Sequence, residues 1–401
     1  MRIPKRYRRI TWAAIAVGLS ALTASGQDTR ADRAVPEDVK TASAAMNEFG
    51  LKLISNLSAS QPHKNVFISP MSVFIALAMT EKGATGKTLT AIRQTLAVPH
   101  NVTEEQLHVS TAAVLKALGS SDGLSLANAL WSDQRLAPAF TAECRQFYRA
   151  EATTLDLSKT DVSAKQINDW VNKNTGGKIR SILEPENLRD SKVVLTNAIY
   201  FHGTWTKPFP RNVTGESIFH LADGREKDVP MMYQPELPGG YRKGDGFEAV
   251  ALDYRSSHIR FYAILPALGT SPEQALARVS VQELEAAPGE LVEFSLPRFS
   301  LDFSHALNDS LKAMGMVAAF TSSHDFRAMG AGDLFISAVL HRAVLEVDEE
   351  GTTASGTTAA VLTRGPPKGH LLSFNRPFAV LLCDTQTGAI LFAGVVYDPG
   401  S

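Results

Sequence analysis

The sequence predicts an α+β protein with substantial β-sheets. Helical periodicity dominates the first half of the chain, and apolar, strand-like runs dominate the second half. The hydrophobic content of 44% is ample for a large core. From residue 35 onward no low-complexity linker, repeat or charge block divides the chain, so we expect one domain. Helices first and strands later are typical of the α+β class.

Three segments carry the helical pattern. Residues 40–57 repeat apolar side chains at helical spacing. Residues 71–82 form the second predicted helix, for which Ser69 is a suitable N-cap and Pro70 a suitable first residue. Residues 163–174 form the third, a short amphipathic helix.

The strand-like runs lie in the second half of the chain. Each contains several apolar residues, among them β-branched or aromatic ones, as expected of strands packed against a core. They are residues 192–201, 258–265, 290–295, 335–347 and 377–396.

The first 26 residues have the pattern of a secretory signal peptide. A basic start is followed by the apolar residues 12–24 and then by small and polar residues. A membrane anchor is the alternative, but this apolar run is shorter than the roughly 20 residues that span a bilayer. We therefore expect a signal peptide at 1–26, a linker at 27–35, one domain at 36–401 and secretion to an extracellular or periplasmic location.

Charge and cysteine content exclude several function classes. The 40 Lys and Arg residues balance 41 Asp and Glu residues, which gives no indication of nucleic-acid binding. No remaining stretch is long enough to hold the mature chain in a membrane. Cys383 lies in an apolar run, so a buried free thiol is favoured over a disulfide with Cys144.

Motifs of enzyme chemistry are missing from the sequence. Residues 83–88 resemble the end of a phosphate-binding P-loop, but Glu81 stands where the motif needs glycine. There is no G-x-S-x-G nucleophile motif and no H-E-x-x-H zinc motif. The ten histidines show no metal-ligand spacing, so the sequence predicts no catalytic residue, no cofactor and no metal site.

The most informative segment lies near the C-terminus. All nine residues of 352–360 are Thr, Ala, Ser or Gly. A flexible surface linker is one interpretation, although linkers are usually richer in Gly, Ser and Pro. The other is an exposed segment that can later enter a packed sheet, because none of its side chains is bulky or charged. In a strand, alternate residues would share one face: Thr352, Ala354, Gly356, Thr358 and Ala360.

Several separated motifs give the chain a family resemblance. They are residues 65–72 (NVFISPMS) with 76–79 and 83–85, 195–205 (LTNAIYFHGTW), 311–316 with 319–320, 344–354, and 374–378 with 392–394. In this order they resemble the serpins, a family of serine protease inhibitors, across nearly all of residues 36–401. The resemblance implies a large central β-sheet, two smaller sheets, about eight or nine helices and an exposed reactive loop.

The resemblance also implies a mechanism. A serpin is a metastable monomer that offers its loop to a target serine protease, which cleaves the loop and forms an acyl-enzyme. The severed loop then inserts as a new strand and traps the protease, so the inhibitor is not an enzyme. Strand addition and release of stored strain are established physical processes.

The hinge of the loop distinguishes inhibitors from serpins that act as chaperones or ligand carriers. A charge or a proline early in the loop would resist insertion. By resemblance, the hinge comprises Glu349, Glu350, Gly351, Thr352, Thr353, Ala354, Ser355 and Gly356. The inserting residues are small and uncharged, so we expect an inhibitor, with a non-inhibitory serpin as the alternative.

The bond to be cleaved sets the target protease. The usual distance from Gly351 ends at Gly365, but Pro366 follows and proteases rarely cut before proline. The preceding bond, Arg364–Gly365, offers a cation to a trypsin-like protease. Leu362 and Thr363 are alternatives, for chymotrypsin-like, elastase-like or cysteine proteases, because the loop is shorter than is common in the family.

Two further groups of residues follow from the resemblance alone. Ser69, Ser72, Asn197 and His341 resemble the polar shutter beneath the sheet, where hydrogen bonds break and reform as strands part. Trp205 resembles the tryptophan of the breach, where insertion begins.

Overall fold

A computed structural model describes residues 36–119, 123–255, 257–321, 324–352 and 369–400. The predicted signal peptide and linker lie outside these ranges. The loop residues 353–368 also lie outside them, although the backbone of the hinge is described up to Thr352.

The described residues contain nine α-helices. They are α1 (Glu37–Ser60), α2 (Pro70–Glu81), α3 (Gly86–Thr95), α4 (Glu104–Leu118), α5 (Pro138–Tyr148), α6 (Thr160–Asn174), α7 (Pro272–Leu276), α8 (Val281–Ala286) and α9 (Asn308–Leu311). The three predicted helices correspond to α1, α2 and α6. Ser69 caps α2 as predicted, because its side chain accepts a hydrogen bond from the backbone N–H of Ser72.

Sixteen strands lie in the described residues. They are β1 (Val66–Ile68), β2 (Leu124–Ser132), β3 (Glu151–Thr154), β4 (Val193–Phe201), β5 (Gly203–Thr204), β6 (Gly215–His220), β7 (Glu226–Gly244), β8 (Phe247–Asp253), β9 (Ile259–Pro266), β10 (Glu290–Pro297), β11 (Phe299–Ala306), β12 (Ile336–Val347), β13 (Gly351–Thr352), β14 (His370–Ser373), β15 (Phe378–Asp384) and β16 (Ile390–Val396). The predicted run 377–396 is two antiparallel strands, because the polar turn after Asp384 interrupts it.

The strands form three sheets in the described residues. One sheet has five strands in the order β11-β12-β4-β2-β3. Another has nine strands, eight of which follow the order β1-β16-β15-β9-β8-β7-β10-β14, and the ninth, β6, pairs with β7. A third sheet pairs β13 with β5. The predicted α+β class and its serpin-like arrangement of sheets and helices are confirmed.

Strand β4 lies inside the five-stranded sheet, where all nine of its residues are buried. Its neighbour β12 runs parallel to it, whereas β2 on its other side runs antiparallel. Side chains such as Leu195 and Ile199 enter the main core on one face of the sheet. The fully buried helix α2 lies in the same core. Val194 and Ala198 point to the opposite face and pack in a second core that includes α6.

Both cysteines are buried and unpaired. Cys144 lies in α5 and Cys383 in β15, so the predicted free thiol is confirmed and the alternative of a disulfide is wrong. Burial raises the pKa of the Cys144 thiol to about 12. Among the described helices, none combines the length and apolar character needed to cross a membrane.

Candidate functional site

A buried polar cluster lies across the boundary between β4 and β12. His341 on β12 is directly opposite Asn197 on β4, and its Nδ1 hydrogen-bonds to Oδ1 of Asn197. From α2, the backbone N–H of Ser69 donates to Nε2 of His341 at 3.1 Å. The Nδ2 group of Asn197 donates to the Oγ atom of Ser72. The structure therefore brings together all four residues of the predicted shutter.

The hydrogen bonds fix the protonation of His341. Because Nε2 accepts from Ser69, the ring proton resides on Nδ1 and is donated to Asn197. Burial lowers the pKa of His341 to about 3, so the imidazole is neutral at physiological pH. A neutral ring can exchange hydrogen-bond partners without leaving a buried charge unpaired.

Asn128 is a fifth member of the cluster that the sequence analysis missed. It lies on β2 directly opposite Asn197, and its Oδ1 accepts hydrogen bonds from Asn197 and, at 3.3 Å, from the Ser72 hydroxyl. All five side chains are buried. The cluster consequently links three adjacent strands to the N-terminal end of α2.

Trp205 holds the chain where β12 ends. Its indole Nε1 donates to the carbonyl oxygen of Asp348 at 2.9 Å, and its backbone N–H donates to that of Glu350 at 2.8 Å. The buried indole stacks on Tyr254, with ring centroids 4.4 Å apart. The tryptophan predicted for the breach thus lies against the start of the hinge.

The two hinge glutamates are anchored by ion pairs. The buried Glu349 carboxylate accepts hydrogen bonds from Arg298 and, at 2.8 Å, from the Thr214 hydroxyl. Burial alone would raise the pKa of Glu349, but these bonds outweigh it and keep the pKa below its usual value. Glu350 forms an ion pair with Arg211 at 2.8 Å. The hinge is therefore fixed to the protein body up to residue 350.

The next two residues have turned back and already form a short strand. Gly351 pairs with Thr204, and Thr352 pairs with Gly203, in an antiparallel ladder just beyond the end of β4. A Cβ atom on Gly351 would lie only 2.0 Å from the carbonyl oxygen of Gly203, so only glycine allows this close approach. The start of the loop therefore lies beside β5, which begins two residues after β4 ends.

The remaining predicted site residues lie outside the described residues. They are Thr353, Ala354, Ser355, Gly356, Leu362, Thr363, Arg364 and Gly365. Their roles, like those of the shutter and breach, stay predictions.

One group of possible metal ligands occurs away from the loop. Glu81, Glu104 and His108 each place a ligand atom within 4.8 Å of the other two. The sequence analysis found no metal-ligand spacing because Glu81 is on α2 and the other two are on α4. The spacing of Glu104 and His108, one helical turn apart, was the available signal.

A known family accounts for this arrangement of loop, sheet and helices. The family model described as "Serpin (serine protease inhibitor)" matches residues 44–399. The chain belongs to the serpin family. The expectation from the sequence motifs is thereby confirmed.

The relatives of this serpin include an elastase inhibitor and a corticosteroid-binding protein. Leukocyte elastase inhibitor of Sus scrofa is 34% identical, with 89% of this chain and 99% of the relative covered. Corticosteroid-binding globulin of Oryctolagus cuniculus is 34% identical, with coverage of 88% and 94%. The native-state structure of the thermophilic serpin tengpin has a TM-score of 0.80 at 27% identity, with coverage of 91% and 95%.

Proposed function

We propose that this serpin is a secreted inhibitor that traps trypsin-like serine proteases after they cleave the Arg364–Gly365 bond. The observation that carries the proposal is the antiparallel pairing of Gly351 and Thr352 with β5, the short strand that follows β4. Cleavage would release the segment that follows, and this segment could then extend the ladder along β4.

The boundary between β4 and β12 is the place where a new strand fits. The loop leaves β12 and turns back, so it runs antiparallel to both β12 and β4, which are parallel to each other. Inserting the loop between them replaces one parallel pairing by two antiparallel pairings. Such pairings are slightly more stable per residue, and they provide a full set of new backbone hydrogen bonds.

The observed pairing with β5 supports one register for the inserted strand. Continued residue by residue, it pairs Ala354 with Phe201, Thr358 with Asn197 and Leu362 with Val193. Leu362 would thus reach the first residue of β4, so the loop up to Arg364 is long enough to complete the sheet. Even a loop shorter than is common in the family satisfies this requirement.

The same register assigns a face to each loop residue. Ala354, Gly356, Ala360 and Leu362 would point into the main core, as Leu195 and Ile199 do. Their small or apolar side chains can be buried without leaving a polar group unpaired. Thr358 would enter between Asn197 and His341, where its hydroxyl can both donate and accept hydrogen bonds.

In the proposed mechanism, the protease itself carries out the bond cleavage that starts trapping. The protease serine oxygen attacks the Arg364 carbonyl carbon, the bond to Gly365 breaks, and the new amine takes the proton. The resulting ester joins the protease to Arg364. If insertion precedes hydrolysis of this ester, the protease is carried toward the far end of β4 and remains acylated. The serpin itself performs no turnover.

A non-inhibitory carrier is the second candidate function, because corticosteroid-binding globulin is among the relatives. Incubation with trypsin distinguishes the two. An inhibitor forms a complex that survives SDS at the summed mass of the protease and the large serpin fragment, and its released C-terminal peptide begins at Gly365. Complete cleavage without a complex, with the trypsin fully active, would instead support the carrier.

A further inference from the structure

A buried carboxylate and a buried imidazole face each other between α2 and α4 without a hydrogen bond. Oε2 of Glu81 lies 3.3 Å from Nε2 of His108, and both atoms lack a hydrogen-bond partner. Glu81 is fully buried, and His108 is 1% exposed. Two unsatisfied polar atoms at this depth are costly unless something binds between them.

Tyr148 determines which nitrogen of His108 is free. The tyrosine hydroxyl donates to the carbonyl oxygen of Ala78 at 3.0 Å, so in its contact with His108 it accepts the proton of Nδ1. This leaves the lone pair of Nε2 directed toward the carboxylates. An imidazole oriented through Nδ1–H by a neighbouring acceptor is the usual form of a histidine metal ligand.

A third ligand comes from the same face of α4. Oε1 of Glu104 lies 3.5 Å from Nε2 of His108, and the two residues are one turn apart. Metal–ligand bonds of about 2.1 Å at tetrahedral angles place ligand atoms roughly 3.4 Å apart. The separations of 3.3 and 3.5 Å between Nε2 of His108 and the two carboxylate oxygens fit this geometry, and all three ligand atoms lie within 4.8 Å of one another.

We propose that Glu81, Glu104 and His108 bind a divalent transition-metal ion, with Zn²⁺ as the best match. Two carboxylate oxygens and one imidazole nitrogen are ligands that Zn²⁺ takes, and water can fill a fourth position. The Glu104 side chain is 46% exposed, so the ion has a path from solvent. The bound ion would fasten the first turn of α4 to the end of α2.

The surrounding charges modulate the site. Arg93 binds Oε1 of Glu81 at 2.7 Å and leaves Oε2 for the ion. The ammonium group of Lys82 lies 3.0 Å from the same Glu104 oxygen that would bind the metal, so it competes with the ion. Glu143 lies 3.8 Å from the Lys82 nitrogen and can hold the displaced ammonium group.

Calorimetric titration of the chelator-treated protein with ZnCl₂ tests the site. We expect one Zn²⁺ per chain and a higher melting temperature at saturation. Glu104→Gln, a change at a partly exposed residue, should weaken binding at least about tenfold, as should His108→Gln. Lys82→Met should strengthen binding, because it removes the competing cation. A gain in Zn²⁺ affinity in this variant, against a loss in the other two, separates metal binding from a general loss of structure.

His324→Gln is the matched control, because this exposed histidine contacts Asp333 at 2.7 Å away from the site. It should leave Zn²⁺ binding unchanged. Lack of stoichiometric binding by the wild type would overturn the proposal and indicate that a proton bridges Glu81 and His108. Equal binding by wild type and folded Glu104→Gln would overturn it as well.

Discussion

Asn197 and His341 are paired residues on two parallel strands, and their side chains form a hydrogen bond across the boundary at which those strands would separate. A strand inserted there must break this bond. The two groups would then need a new partner, and in the register proposed above that partner is Thr358.

The buried His341 should make stability depend on pH. Its pKa is about 3 in the folded protein and about 6.5 when unfolded, so only the unfolded chain gains a proton as the pH falls below 6.5. Its contribution to stability is therefore complete above pH 6.5 and decreases at lower pH, by up to about 1.4 kcal/mol per unit. Urea unfolding between pH 7 and pH 5 measures this slope.

His341→Gln should reduce the slope, even though it also lowers stability at pH 7 by disturbing the cluster. His305 lies directly opposite His341 on β11 and serves as the control. Its pKa is also lowered by burial, but its side chain is only partly buried. His305→Gln should reduce the slope less than His341→Gln does. Equal slopes for wild type and His341→Gln would show that His341 does not cause the pH dependence of stability.

Thr352→Arg should abolish trapping of trypsin while cleavage continues. Insertion would bury the arginine in the core face, and an unpaired buried charge costs several kcal/mol. Thr353→Arg is the matched control, because residue 353 would lie opposite His202, which is exposed. Counting covalent complexes per cleaved serpin on SDS gels separates the two variants. Equal losses of trapping would refute the proposed faces.

Thr358→Val should destabilise the cleaved form and leave the intact form unchanged. In the inserted strand, valine cannot hydrogen-bond to Asn197 or His341, which costs about 1 kcal/mol and lowers the melting temperature of a domain of this size by about 1 °C. Thr357→Val is the control, because residue 357 would face the apolar core near α6. Calorimetry of all cleaved forms tests this register, which is wrong if Thr357→Val has the larger effect.

Arg364→Ala should remove inhibition of trypsin-like enzymes, because their specificity pocket requires a cation. The melting temperature of the intact protein should stay nearly constant if residue 364 belongs to an exposed loop, as the serpin motifs predict, because changes at such residues have small effects on stability. Inhibition assays with trypsin, chymotrypsin and elastase measure the change. Continued inhibition of trypsin would exclude Arg364–Gly365 and favour another bond, with Thr363→Ala and Leu362→Ala as the next variants.

The sequence could predict the helices and strands whose patterns are local. Ser69 and Pro70 specify the start of α2, and the apolar run at 335–347 specifies β12. Asn128 could not be found in this way, because its place beside Asn197 depends on the register of β2 against β4. Glu81 and His108 meet through the packing of two helices, and no residue spacing encodes that contact.

The loop connects two different sheets, because β12 before it belongs to the five-stranded sheet and β14 after it to the nine-stranded sheet. In the proposed mechanism, residues 353–368 are tethered at both ends while the backbone is continuous and β14 stays paired with β10, so full insertion requires cleavage. The proposed barrier to insertion is therefore the tether through β14, which ends when the loop is cut. Hydrolysis of one peptide bond would remove the tether. This bond could lie at any position that leaves enough chain attached to β12 for the released segment to pair with β4 and β12.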